Sequence, residues 1–92
     1  MLPAEETRTR ELTETLPPYR VVLHNDDHNS LDHVVESLLK SISNLSRERA
    51  GEIMLEAHSN GQATAATCPL ELAELYRERL ESFGLTATIE RV

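Results

Sequence analysis

The sequence predicts an α+β domain, a small antiparallel sheet of three strands packed on three helices in the order β-α-α-β-α-β. Three observations carry that expectation. Apolar and polar residues alternate with period two over 19–24 and again over 85–90. Between them, three stretches repeat apolar residues at helical spacing. Each strand has a single apolar face, which suits a sheet covered by helices on one side.

Pro17 and Pro18 block a helix and set up an extended entry. Tyr19, Val21 and Leu23 then alternate with Arg20, Val22 and His24, which predicts the first strand. Residues 25–29 form a polar turn whose Asn and Asp side chains bond nearby backbone. Asn29 or Ser30 caps the first helix, where Leu31, Val34, Val35, Leu38 and Ile42 make one apolar stripe. Ser46 caps the second helix, with Ala50, Ile53, Met54 and Ala57 on its stripe; it ends at His58, and Asn60-Gly61 supplies a residue tolerant of positive φ. Residues 62–67, with two threonines and three alanines, are placed as the second strand in the chain by their context. Pro69 is expected at the first helical position of the third helix. Leu72, Ala73, Tyr76, Leu80 and Phe83 form its buried stripe, and Gly84 stops it.

Ninety-two residues suffice for one domain with a modest core. Residues 1–16, rich in Glu, Arg and Thr, have too little apolar surface to bury and are expected to be a flexible N-terminal tail, which leaves 17–92 as the folded domain. A single cysteine, Cys68, excludes an internal disulfide and suits a reducing compartment. The first residues lack the basic and apolar regions of a signal peptide, and no apolar run reaches the length of a membrane span, so a cytoplasmic location is expected. Nine basic residues against sixteen acidic give a net charge of −7. Clustered cations and stacking aromatics are both missing, which argues against nucleic acid and for a cationic ligand or basic partner.

The densest chemistry lies in His24-Asn25-Asp26-Asp27-His28-Asn29-Ser30-Leu31, two amides, two carboxylates and two imidazoles followed by a large apolar residue. A metal reading is weakened by the missing patterns. Counted from Asp27, the fifth calcium-loop position is Leu31 and no glycine follows; there is no H-E-x-x-H, and Cys68 has no second thiolate. His28 and His33 are expected to be solvated residues near a helix start. An enzyme reading would use an Asp with His58, but no activated nucleophile, phosphate loop or electrophile site accompanies them. A binding reading uses the same residues better. The carboxylate of Asp26, the amide oxygen of Asn25 and a ring nitrogen of His58 are three acceptors, which matches the three donors of an ammonium group. Leu31, Val34, Met54 and Ala57 lie on facing helical turns and would wall an adjoining pocket that Leu85 closes. The competing reading of those five side chains is plain core.

The run Tyr19-Arg20-Val21-Val22-Leu23-His24-Asn25-Asp26-Asp27 resembles the signature of the ClpS family, and so does Met54-Leu55-Glu56-Ala57-His58 followed by Ser59-Asn60-Gly61. The likeness runs through Ala73-Glu74 and covers residues 17–92. ClpS proteins are non-enzymatic adaptors that bind N-degrons, substrates beginning with Phe, Tyr, Trp or Leu, and hand them to a Clp-type AAA+ unfoldase and its peptidase. The resemblance implies that Asn25, Asp26 and His58 hold the substrate's α-amino group, that Leu31, Val34, Met54, Ala57 and Leu85 form the side-chain pocket, and that the tail assists delivery. It implies no cofactor or metal, and a monomer. Glu71 matches a position that faces the unfoldase N-domain, and Tyr76 stands where relatives often carry Lys in that contact. Leu31 and Ala57 replace the family's frequent Met and Val, and His28-Asn29-Ser30 replaces an aromatic followed by Thr-Pro. An alternative of another class is a protein–protein module resembling the C-terminal domain of the large ribosomal subunit's stalk protein, without N-degron recognition.

Overall fold

Residues 16–92 are described by the structure, a computed structural model. Apart from Leu16, the expected tail lies outside the described residues. The elements follow in the expected order: β1 (Pro18–His24), α1 (Leu31–Ser41), α2 (Arg47–Asn60), β2 (Gln62–Pro69), α3 (Leu70–Ser82) and β3 (Thr86–Arg91). All strand pairing is antiparallel, and the sheet order β2-β1-β3 puts the first strand in the middle.

Alternation on β1 decides the layering. Val21 and Leu23 point into the core with Ala63, Ala65 and Cys68 from β2 and Ala87 from β3. Arg20 and His24 take the opposite face, where Arg20 pairs with Glu90 at 2.9 Å and His24 Nε2 lies 2.7 Å from Thr88 Oγ1. Val22 shares that outer face yet is buried, between its cross-strand partners Thr64 and Thr88. The register slips by one between Val21 and Val22, which leaves a bulge on β2. Helix α2 packs on β2, α3 packs on the sheet, and α1 packs against α2 and α3. Leu38 and Ile42 of the first helical stripe, Ala50, Ile53 and Ala57 of the second, and Leu72, Ala73, Tyr76 and Leu80 of the third meet in one cluster.

Three local expectations change. Strand β2 runs two residues past Thr67, and Pro69 (φ −60°, ψ 154°) is its last residue and the cap of α3 rather than the first helical residue. Proline tolerates this place because it needs no donor at the end of an edge strand. Helix α2 continues to Asn60 before Gly61 (φ 91°) turns the chain. Phe83 is only half-buried; it lies one residue past α3, with the Lys40 ammonium 5.8 Å from its ring centroid.

One buried group is misfit. Ser41 ends α1 fully buried, and among the described residues its hydroxyl has no hydrogen-bond partner. An unpaired buried hydroxyl costs stability, and alanine is the better helix former. Ser41→Ala is therefore expected to stabilise the domain by about 1 kcal/mol, seen as a higher urea midpoint. A lower midpoint would show that the hydroxyl does have a partner.

Candidate functional site

The chain leaves β1 at His24 and is at once tied to the end of α2: Asn25 N donates to Gly61 O at 2.9 Å. Gly61 is itself the cap of α2, with N donating to Ala57 O at 2.9 Å and a positive φ that glycine adopts without strain. The next residue organises the loop. Asp26 Oδ1 accepts from His28 N (2.9 Å), Asn29 N (2.9 Å) and Asn29 Nδ2 (3.1 Å), and its Oδ2 accepts from Asn29 Nδ2 at 3.0 Å. This is the local side-chain-to-backbone turn that Asp favours. Ser30 then caps α1, its Oγ accepting from His33 N at 3.1 Å.

Two side chains carry the loop across to the far end of the chain. Asn29 Nδ2 also donates to Gly84 O at 3.1 Å, and His33 Nε2 donates to Phe83 O at 2.7 Å. Residues 83–85 connect α3 to β3, and Gly84 holds φ at +85° there. His33, expected from sequence to be solvated, is instead half-buried and bonded; Ser37 Oγ further donates to its carbonyl at 2.7 Å.

Opposing influences act on the Asp26 carboxyl. Burial, the largest, pushes its pKa up; the Asn29 side chain, the Asn29 and His28 backbone N–H groups and the charge of His28 together outweigh it, and the net shift is downward. A carboxyl depressed by folding stabilises the fold above its unfolded pKa of about 3.9, and that contribution disappears as pH falls through the still lower folded value. Wild type is expected to be more stable than Asp26→Asn at neutral pH, with the gap closing on acidification toward pH ~3, below the unfolded reference value. Urea midpoints across that range check it, and a gap independent of pH would remove the Asp26 charge as the cause.

Beside the loop lies a small cavity of about 20 Å³, room for about one water-sized sphere. Asn25, Asp26, His24 and Asn29 form its polar side. Leu31 and Val34 from α1, Met54 and Ala57 from α2, and Leu85 ahead of β3 form its apolar side, with Leu23. Leu31 is 41% exposed at the mouth, whereas Ala57 and Leu85 are buried.

The structure therefore brings Asn25, Asp26, Leu31, Val34, Met54, Ala57 and Leu85 around one cavity. His58 is not among them: it is exposed, three residues before the Gly61 carbonyl that anchors Asn25. Glu71 is exposed on the first turn of α3. Tyr76 needs correction as a surface contact. It is 4% exposed and belongs to the core cluster, because its ring shares the inward stripe with Leu72, Ala73 and Leu80. Sequence reasoning missed Asn29 as a bridge and His33 as a brace. An Asn three residues after an Asp hinted at the first; nothing local announced the second, whose acceptor is 50 residues away. Among the described residues, no three His, Cys, Asp or Glu side chains converge as metal ligands, and no helix is long and apolar enough to cross a membrane.

Fold and cavity together describe a small α+β domain with a pocket beside the loop after β1, lined by Asp26 and by apolar side chains. Comparison with known proteins makes the class specific. The family profile described as "ATP-dependent Clp protease adaptor protein ClpS" matches residues 14–88. The ATP-dependent Clp protease adapter protein ClpS of Synechococcus elongatus is 45% identical over 85 residues, 92% of this chain and 87% of that protein. The ClpS of Gloeobacter violaceus is 47% identical over 75 residues, 82% of this chain and 81% of that one. The structure of Agrobacterium tumefaciens ClpS2 bound to L-phenylalaninamide superposes with a TM-score of 0.77 at 26% identity, covering 83% of this chain and 98% of that chain. The chain belongs to the ClpS family, adaptors of the ATP-dependent Clp protease.

Proposed function

We propose that this adaptor binds N-degrons through a free α-amino group and a bulky hydrophobic first side chain, and delivers them to a Clp AAA+ unfoldase and its peptidase. The observation that carries the reading is the cavity with Asn25 and Asp26 on one side and Leu31, Val34, Met54, Ala57 and Leu85 on the other. The structure of its relative from A. tumefaciens is of the protein bound to L-phenylalaninamide, a molecule with a free amine and an aromatic side chain. In the proposed complex the ammonium sits at Asp26 Oδ2, which takes one hydrogen bond where Oδ1 takes three. Asn25 contributes its amide oxygen, and His58 swings in from the exposed end of α2 to supply the third acceptor. A leucine or phenylalanine side chain would enter past Leu31, which is 41% exposed, beside the flexible Met54.

Neither half suffices alone. Burying a Leu or Phe side chain is worth about 1.5–3 kcal/mol, and each hydrogen bond to a charged group about as much before ordering costs. A micromolar complex needs about −8 kcal/mol. An acetylated N-terminus removes the charge and leaves the half-buried Asp26 without its counterion. Fluorescence anisotropy with identical peptides is the test: free N-terminal Leu or Phe is expected to bind, with a loss of about 100-fold on acetylation, two of the tenfold steps of 1.4 kcal/mol. Equal affinity of the two forms would sink the reading.

The chain is read as a cytoplasmic monomer without enzymatic activity, acting through its Clp partner. Glu71 is proposed as a contact to the unfoldase N-domain, its exposed place on the first turn of α3 being compatible with that role.

A further inference from the structure

We infer that Asn29 is a positioning residue that couples the two halves of the pocket, because its one side-chain amide holds both the Asp26 carboxylate and the turn that presents Leu85. The inference rests on the reading of the cavity as an amine clamp beside a side-chain pocket.

The geometry is specific to an amide. Nδ2 carries two N–H groups. It lies 3.1 and 3.0 Å from the two Asp26 oxygens and 3.1 Å from Gly84 O, so one group serves the carboxylate and the other the turn. Leu85 follows directly and is anchored from the other side by its N–H, which donates to Leu80 O at 3.2 Å. The wall residue thus hangs between the last turn of α3 and Asn29. A hydroxyl has one donor and serves one of these acceptors at a time; an Asp would set a second carboxylate against Asp26. An ammonium on Asp26 Oδ2 extends the chain of bonds to ammonium, Asp26, Asn29 and Gly84, so occupying the clamp bears on where Leu85 stands. His33, which braces Phe83 O at 2.7 Å, holds the turn independently and keeps it folded when Asn29 is replaced.

A pair of mutant cycles tests the coupling, read by anisotropy with a free N-terminal Leu peptide. Asn29→Ala is expected to weaken binding about tenfold, one lost hydrogen bond to a charged group. In that background Leu85→Ala should cost less than half the fold-loss it costs in wild type, whereas Val34→Ala, on α1 and outside the bridged turn, should cost the same in both. Asn29→Ser, with one donor, should fall between. Additive losses in the Leu85 cycle, or equal non-additivity with Val34, would overturn the inference.

A second measurement needs no peptide. The Leu85 methyl resonances should titrate with the same midpoint as the Asp26 carboxyl carbon in wild type and lose that midpoint in Asn29→Ala; Asp27, His24 and His28, the other titratable groups on this loop, are followed by their own resonances. Leu85 methyls blind to Asp26 in wild type would refute the coupling even if peptide binds. Tracking methyls in a protein that binds no peptide would leave the bridge standing and refute the function on which the inference draws.

Discussion

Alanine at Asp26 is expected to reduce affinity for a peptide with a free N-terminal leucine by about 100-fold or more, out of the measurable range of a micromolar interaction. Two losses add. The ammonium loses its counterion, and the loop loses the acceptor of three hydrogen bonds at Oδ1 and one at Oδ2. Asp26→Asn separates them, since an amide oxygen retains acceptor capacity without the charge. If the charge matters most, the Asn variant should bind nearly as poorly as the Ala variant while unfolding at a higher urea concentration. His58→Ala is expected to weaken binding as well. Wild-type affinity in both Asp26→Ala and His58→Ala would refute the clamp. Wild-type affinity in His58→Ala alone would leave Asn25 and Asp26 as the polar contacts and keep His58 on the surface, where the structure places it.

Leu80→Ala should have the largest effect on stability. Leu80 is fully buried in the last full turn of α3, and the cavity left by a Leu→Ala change in such a place costs about 3–5 kcal/mol. Domains of this size have roughly 5–15 kcal/mol in total. The melting temperature is expected to fall by more than about 10 °C, at several degrees per kcal/mol for a domain of under 100 residues. Binding should weaken too at temperatures where the variant is still folded, because Leu80 O accepts from both Phe83 N (3.1 Å) and Leu85 N (3.2 Å) and so steadies the turn behind the pocket. A cost below about 1 kcal/mol would mean that neighbouring side chains collapse into the space, against the usual behaviour of close-packed interiors.

Most of the architecture was legible because period and punctuation agree. Val21 and Leu23 alternate with polar neighbours, Ser30 and Ser46 cap helices, and Gly61 and Gly84 take positive φ where the chain must turn. The boundary at Pro69 was misread because proline suits both a helix start and the end of an edge strand, and only the sheet decides. In the site, the residues that converge on the cavity could be named from two spaced motifs, but the bonds among them could not. Asn29 looked like a cap from sequence because a capping amide and a bridging amide are the same residue type; the acceptor that distinguishes them, Gly84 O, lies 55 residues away. Two sequence readings of Tyr76 compete, a place in the unfoldase contact implied by its match to a Lys position and a place on the buried stripe with Leu72, Ala73 and Leu80, and the structure bears out the stripe. The stripe was the better physical guide.

The strand order has a consequence for how the protein is made. The central strand β1 is synthesised first and pairs on one side with β3, with Arg20 and Glu90 bonded across 70 residues of chain. Such distant pairings form late, because a long loop must close before any contact rewards it. On a ribosome β1 is therefore expected to keep one edge unpaired until β3 emerges, and the Leu85 side of the pocket to form with it. If the pocket takes N-termini as proposed, it is complete for that use only when β3 has docked and Leu85 stands in its wall.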